Sequence, residues 1–276
     1  MTILWMQYLI KCAKPNSPSG HRCFSQLAEA LLQGVGEIVN MSTILITGAN
    51  RGLGLEFVRQ YTTDGWEVLA ASRQPEKSVD LKQLASQHPT VVLRYLDVTD
   101  DESVQNLADK LDGKPIDVLL HSAGVYPREG QQIGEIDYEG WREALDTNLF
   151  GVLRVTEALL ENVAASQRKQ IAAISTSLSS LRGVQEGSVA QAGTSYQYRT
   201  SKTALNMALS ILAKELEPRG VSVVLLDPGW VKTDMGGPHA PLSPQQSIAG
   251  MRKVLSGNPT ENSGKFLGHD GMPRPW

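Results

Sequence analysis

Cysteine is almost missing from this 276-residue chain, and both copies, Cys12 and Cys23, fall within the first forty positions. The remainder therefore has neither a disulfide framework nor a thiolate metal site, which fits a reducing cytoplasm. Histidine is also sparse. The five residues, at 21, 88, 121, 239 and 269, show no ligand spacing, so no structural or catalytic metal is expected. An excess of one charge is lacking as well: a formal net charge of -3 offers no general attraction for nucleic acid or an anionic membrane. The opening MTILWMQYLI is too short for a membrane span, and Lys11 and Lys14 follow it, the wrong order for an ordinary signal peptide. Linkers, repeats and low-complexity tracts are absent too.

What is present is hydrophobic content of 41%, enough for a sizeable core. From Ser42 onward, short apolar runs alternate with amphipathic stretches. Strands are predicted at Thr43–Ile46, Glu67–Ala71, Val91–Leu96, Val118–His121, Ile171–Ser175, Val221–Leu226 and Lys265–Leu267. Helices are predicted at Gly54–Asp64, Asp80–Gln87, Asp101–Leu111, Gly140–Ala165 and Ser195–Glu217. Near-continuous apolar strands such as VSVVLL are those of a sheet buried on both faces. The pattern predicts a single α/β domain from Met41 to Trp276, a doubly wound parallel sheet of about seven strands whose ligand crevice lies beyond the carboxyl ends of its strands. Residues 1–40 are expected to be a mobile extension or the product of an upstream start, rather than a targeting or docking segment.

The first strand runs into TGANRGLG, Thr47 to Gly54. Gly48, Gly52 and Gly54, with Asn50, Arg51 and Leu53 between them, form a turn that lets a backbone approach a pyrophosphate at a helix N-terminus. At the end of the second strand, where an acidic residue would hold the ribose hydroxyls of NAD, the chain reads Ala71-Ser72-Arg73. Arg73 instead suits a 2′-phosphate, and Arg51 could reach the same group, so NADP is the expected cofactor. Asp97, followed by Val98, is placed either to accept a hydrogen bond from the adenine amino group or to cap the next helix. Ser122, Ala123 and Gly124 end the fourth strand with small side chains that let the backbone pass close to a cofactor.

The run Tyr198-Arg199-Thr200-Ser201-Lys202 opens a helix. A Tyr and a Lys four positions apart share one helix face, so the ammonium can favour the ionised phenol. That arrangement is a proton donor for a carbonyl oxygen.

Through TGANRGLG, LDVTD (96–100), HSAG (121–124), TNLFG (147–151), YRTSK and DPGWVKTDMGG (227–237), the chain resembles the short-chain dehydrogenase/reductase family across Ser42 to Trp276. Within it, YRTSKTALNMA, PGWVKTDMGG and the closing GKFLGHDGMPRPW are most similar to carbonyl reductases of the C-factor and Sniffer type. The resemblance implies hydride transfer between NADP(H) and a small-molecule aldehyde or ketone. Tyr198 would be the general acid, and Lys202 would lower the phenol's pKa and bind the nicotinamide ribose. Asn148 would hold a relay water, or else simply satisfy local backbone. Thr176, in Ile174-Ser175-Thr176-Ser177, aligns with the family's substrate-binding serine, and Ser177 is the alternative. Thr176 lies 22 positions before Tyr198, a longer gap than usual, with the surplus in RGVQEGSVAQAGTS (182–195). His121-Ser122 replaces two asparagines, one of which braces the family's central sheet. Pro228 and Gly229 match the turn beneath the nicotinamide, and Val231 and Thr233 would bind its carboxamide.

Specificity is expected in Met235–Ser247, a short segment rich in Gly and Pro that suggests an open pocket, with Trp230 and Tyr126 as apolar walls or plain packing. The helices at 140–165 and 195–217 imply a homodimer or homotetramer by analogy. A second reading, also prompted by C-factor, is a dinucleotide-binding regulatory protein with little turnover.

Overall fold

The computed structural model describes residues 41–127, 132–187 and 195–276, and Ser42–Trp276 forms one compact unit. The expectation for residues 1–40 lies outside the described residues, as does part of the 182–195 loop. Seven parallel strands build one sheet: β1 Thr43–Thr47, β2 Glu67–Ser72, β3 Val91–Tyr95, β4 Val118–His121, β5 Gln170–Ile174, β6 Ser222–Asp227 and β7 Phe266–Gly268. Their spatial order is β3-β2-β1-β4-β5-β6-β7, so the chain reverses direction between β1 and β4 and opens a crevice at that switch point.

Strand residues alternate between two cores. Leu45, Leu69, Leu119, Ile171 and Val223 face helices α3 (Asp101–Leu111), α5 (Gly151–Ala164) and α7 (Tyr196–Leu216). Ile44, Ile46, Val68, Leu120 and Val224 face α1 (Gly52–Thr63), α2 (Val79–Gln87) and α8 (Pro244–Ser256). Each such side chain, removed from water, contributes roughly 1.5–3 kcal/mol. The sheet is buried on both faces, as its apolar strands require. Among the described residues, no helix is long and apolar enough to cross a membrane.

Several elements differ from the sequence expectation, among them a short helix α6 (Leu181–Gln185) that was not anticipated. The helix anticipated over 140–165 is broken into α4 (Tyr138–Leu145), a π turn at Asp146–Phe150 and α5. It begins early because Asp137 caps it, accepting the Glu139 and Gly140 amides at 3.0 and 3.1 Å. Ser195 lies outside α7, with a left-handed φ of 30°. Helix α8 was not anticipated, yet Ser243 and Gln246 form a reciprocal capping box at 3.2 and 3.1 Å ahead of Ile248, Met251, Val254 and Leu255. Its first turn takes the last four residues of the segment read as a Gly- and Pro-rich specificity loop.

Candidate active site

Beyond the carboxyl end of β1, Thr47 ties the switch point together, its hydroxyl accepting the Ser122 and Ala123 amides at 3.1 Å each. Gly48 turns the chain with φ 66°, and a Cβ there would lie 2.7 Å from the Ala123 Cα. A side chain at Gly54 would strike the Gly48 carbonyl. Helix α1 then starts at Gly52 with no side-chain cap and no acidic residue in its first turn, which leaves its amides to an anion. A cavity of about 290 Å³ lies against this turn, lined by Asn50, Arg51, Gly52, Lys232, Thr233 and Asp234 among others; Tyr198 and Lys202 are not part of it. Arg51 pairs with Asp234 at 3.5 Å, both side chains largely exposed, so it reaches toward the segment after β6. Arg73 is exposed at the end of β2, and the preceding Ser72 hydroxyl is buried without a partner.

Asp97 does not cap α3. Asp100 does, accepting the Glu102 amide at 3.1 Å, because the chain needs three further residues to turn into the helix. Asp97 Oδ1 accepts the Thr99 amide and hydroxyl at 3.0 and 2.7 Å. Val98 packs on Gly151 closely enough that a Cβ there would lie 2.9 Å from it.

The departure at His121 has a structural answer. The imidazole is buried, its Nε2 2.9 Å from the Thr156 hydroxyl, which in turn donates to the Val152 carbonyl at 2.7 Å. A hydroxyl has one proton to give, so Nε2–H must be the donor to Thr156. Burial, and then the nearby Lys202 charge, push His121 down to about 3. A neutral histidine thus ties β4 to α5.

Asn148 sits fully buried in the π turn. Its Oδ1 accepts the Val125 amide at 2.9 Å, and its Nδ2 donates to the Val125 carbonyl and the Ser201 hydroxyl at 3.0 Å each. These partners are 23 and 53 positions away, so the amide does not serve its local backbone. Ser201, within YRTSK, carries a contact that its position in the run does not announce. Gly124 keeps this corner open: a Cβ on it would approach Asn148 Oδ1 at 3.2 Å and Lys202 Nζ at 3.6 Å.

Tyr198, in the first turn of α7, is buried, and the Thr176 side chain favours its ionised form. Thr176 Oγ1 accepts the Leu178 amide at 3.2 Å, which leaves the hydroxyl its own proton to give. Ser177 enters a 3-10 turn and gives its amide to Asp227 Oδ1 at 3.2 Å. Burial first, then the charges of Asp227 and Tyr126, push the phenol well above its ordinary value, against a lowering by Thr176. Lys202 is buried and bonds the Ile174 carbonyl at 2.8 Å, and burial pushes it down to about 8. Lys202, expected to lower the phenol, has its ammonium at the end of β5, with two further N–H donors beyond the one given to Ile174. The Tyr126 ring lies 4.7 Å from that of Tyr198, a contact the sequence left open as wall or packing.

After β6, Gly229 (φ 73°) passes so close to Leu242 and His269 that a Cβ would meet them at 2.7 and 3.0 Å. Ser247 holds the Pro228 carbonyl at 2.7 Å. Val231 is buried beside Leu242, and the Thr233 hydroxyl accepts the Gly236 amide at 3.1 Å. Trp230 is 58% exposed and donates to the Gly236 carbonyl at 2.7 Å, so it is not core packing. Asp227 and Arg274, which join this cluster, lie within DPGWVKTDMGG and GKFLGHDGMPRPW, but neither was singled out as a site residue in the sequence.

The "short chain dehydrogenase" family profile matches residues 42–241. C-signal of Myxococcus xanthus is 38% identical over 164 residues, 59% of this chain and 93% of that protein. The NADPH-bound carbonyl reductase from chicken fatty liver superposes with a TM-score of 0.79 at 32% identity, covering 86% of this chain and all of that one. The carbonyl reductase Sniffer of D. melanogaster does so with a TM-score of 0.78 at 30% identity and the same coverage. A profile match over most of the compact unit, together with full-length structural likeness at these identities, means that this chain belongs to the short-chain dehydrogenase/reductase family of oxidoreductases.

Proposed function

We propose that the protein is an NADPH-dependent reductase that converts the carbonyl of an aldehyde or ketone to an alcohol, with Tyr198 as general acid. The observation that carries this reading is the burial of Tyr198 and Lys202 one turn apart on α7, with the Thr176 side chain favouring the ionised phenol.

The residues fit a dinucleotide: the cradle at Gly48, which a Cβ would fill, and the uncapped start of α1 suit a pyrophosphate, and the unpartnered Ser72 hydroxyl beside Arg73 suits a phosphorylated ribose. Asn50, Leu53, Asp97, Val98, Ser122, Ala123, Pro228, Gly229, Val231 and Thr233 complete the cofactor site in this reading. The NADPH in the chicken carbonyl reductase supports the same choice. Bound NADPH supplies the hydride. Thr176 holds the substrate oxygen and Tyr198 gives it a proton. Lys202 gives one N–H to Ile174 and keeps two for the ribose and the relay. The Asn148 amide is committed to Val125 and Ser201, so a relay water falls to its backbone carbonyl.

Fluorescence titration with NADPH and NADH, followed by NADPH oxidation with a panel of aldehydes and ketones, tests this. Tight NADPH binding with carbonyl-dependent oxidation is expected. Tyr198→Phe should lower turnover by roughly 10²–10⁴-fold while sparing binding, and activity surviving that change would remove Tyr198 from its role. The likeness to C-signal favours a second reading, a dinucleotide-binding regulatory protein, which NADPH binding without turnover on any carbonyl would select. Thr176→Ser separates the two further, since a large gain in reduction would mark a weakened site.

A cytoplasmic homodimer or homotetramer joined through α5 and α7 completes the proposal. Exposed Phe150, Met207 and Ile211 support it, and light scattering on an Ile211→Glu variant, expected to be monomeric, tests it.

A further inference from the structure

The chemistry above leaves one buried carboxylate beside the site without a task. Asp227 ends β6 with 3% of its surface exposed. Its Oδ1 accepts the Ser177 amide at 3.2 Å and the Gly229 amide at 3.3 Å, and its Oδ2 receives Arg274 Nε at 2.9 Å. Ser177 adjoins Thr176, Gly229 belongs to the turn after β6, and Arg274 belongs to the C-terminal tail. One side chain therefore joins three segments that secondary structure does not join.

The tail itself is fastened along its length. Arg274 N donates to the Phe266 carbonyl at 2.8 Å, and its NH2 donates to Asp270 at 3.1 Å. The guanidinium lies where a Cβ of Gly268 would stand, so a side chain at 268 would displace it. At the end, the Trp276 oxygen accepts the Arg182 amide and the Ser180 hydroxyl at 3.0 Å each, and its ring packs on Phe266 at 5.7 Å. Both attachments of Trp276 fall just beyond the turn that follows Thr176.

Charge enters as well as position. Burial first, then Asp227 at the end of β6 and Tyr126, whose ring lies 4.7 Å away, raise the Tyr198 phenol, and Thr176 after β5 lowers it. Lys202, on its own helix, has its ammonium on the Ile174 carbonyl. Asp227 in turn faces Arg274, with Asp270 and His269 on the same tail. A buried carboxylate without a counter-ion opposes an anion forming nearby.

We propose that Asp227 and Arg274 are positioning residues for the reaction: their ion pair fastens the Thr176 segment, the Pro228–Gly229 turn and the C-terminal tail together, and the guanidinium balances the charge that Asp227 presents to Tyr198. The kinetic half of this rests on the reductase reading; the electrostatic half does not.

Four variants test it: Arg274→Gln, Arg274→Lys, Asp227→Asn and the Asp227→Asn/Arg274→Gln double. Asparagine keeps an oxygen for the Ser177 and Gly229 amides, so it removes charge with little loss of shape. Tyrosinate ultraviolet absorbance is titrated with and without NADP⁺, with the Tyr198→Phe protein subtracted. The Tyr198 midpoint is expected to move up by about one pH unit in Arg274→Gln and down by a similar amount in Asp227→Asn. It should return near the original value in the double variant and stay there in Arg274→Lys. Carbonyl reduction with NADPH should lose roughly tenfold in kcat in Arg274→Gln with a smaller change in KM, restored by Arg274→Lys. Midpoints equal in all four variants, whatever their stability, would overturn the proposal. Shifted midpoints in a protein that reduces no carbonyl would sink the reductase reading and leave the ion pair's role standing.

Discussion

Gly48 and Gly237 both have left-handed backbones, with φ of 66° and 78°, but only one is enclosed. A Cβ on Gly237 meets open space, so Gly237→Ala should cost about 1 kcal/mol from its backbone alone. At Gly48 the same change drives a carbon onto Ala123, and a loss of roughly 2–4 kcal/mol is expected, together with weaker NADPH binding. Thermal unfolding and cofactor titration of the pair measure the difference, and equal losses would mean the turn is not tight. His121 gives a second prediction at this scale. Its folded pKa, about 3, lies below the unfolded value, so its neutral form contributes stability that is complete above the unfolded pKa of about 6.5. Between there and about 3 the unfolded chain takes up a proton that the folded chain refuses, and stability falls with pH. Replacing His121 by Asn should flatten that slope by on the order of a few kcal/mol, read from urea unfolding at pH 7 and pH 4.

A single turn of unusual helix sets the geometry at the scale of elements. The π segment Asp146–Phe150 brings Asn148 inward, where its amide satisfies both backbone groups of Val125 and the Ser201 hydroxyl. Asn148→Ala takes the side-chain partner from the Val125 amide and carbonyl, at about 1–3 kcal/mol each. The expected outcome is a lower Tm and a loss of turnover larger than any change in KM. Helix α8 works differently, since its capping box stabilises an element that only supports the Pro228 turn through Ser247. Ser243→Ala should cost about 1 kcal/mol of stability with turnover nearly unchanged. A large loss of turnover there would show that α8 does more than support.

Ser42–Trp276 is a doubly wound sheet whose order reverses between β1 and β4, and the glycine turn, the HSAG segment and YRTSK gather beyond the carboxyl ends of its strands. The sheet starts at Thr43 and the family profile at residue 42. A chain beginning at Met41 is therefore expected to fold with the same Tm and to turn over at a rate within about twofold of the longer one. Unfolding curves and NADPH oxidation compare the two directly, and a truncated chain that fails to fold would give residues 1–40 a structural role.

The amino-acid order by itself determined the sheet, since two-sided burial demands apolar runs such as VSVVLL, and turns demand glycine where a Cβ would collide. It also put Tyr198 and Lys202 on one helix face, because helical spacing is a local property, whereas Thr176 was reached only through the resemblance to a family. The π turn at Asn148 was not legible, as it depends on a partner at Val125 that only the folded chain brings near. The capping box of α8 was legible in Ser243 and Gln246 but was masked by the Gly and Pro before it. Only the tertiary structure decided where charge resides. Lys202 turned to Ile174, His121 became a neutral tie to Thr156, and Asp227 met Arg274 from 47 positions away. Desolvation and pairing between distant segments follow from three-dimensional packing, and no spacing along the chain encodes them.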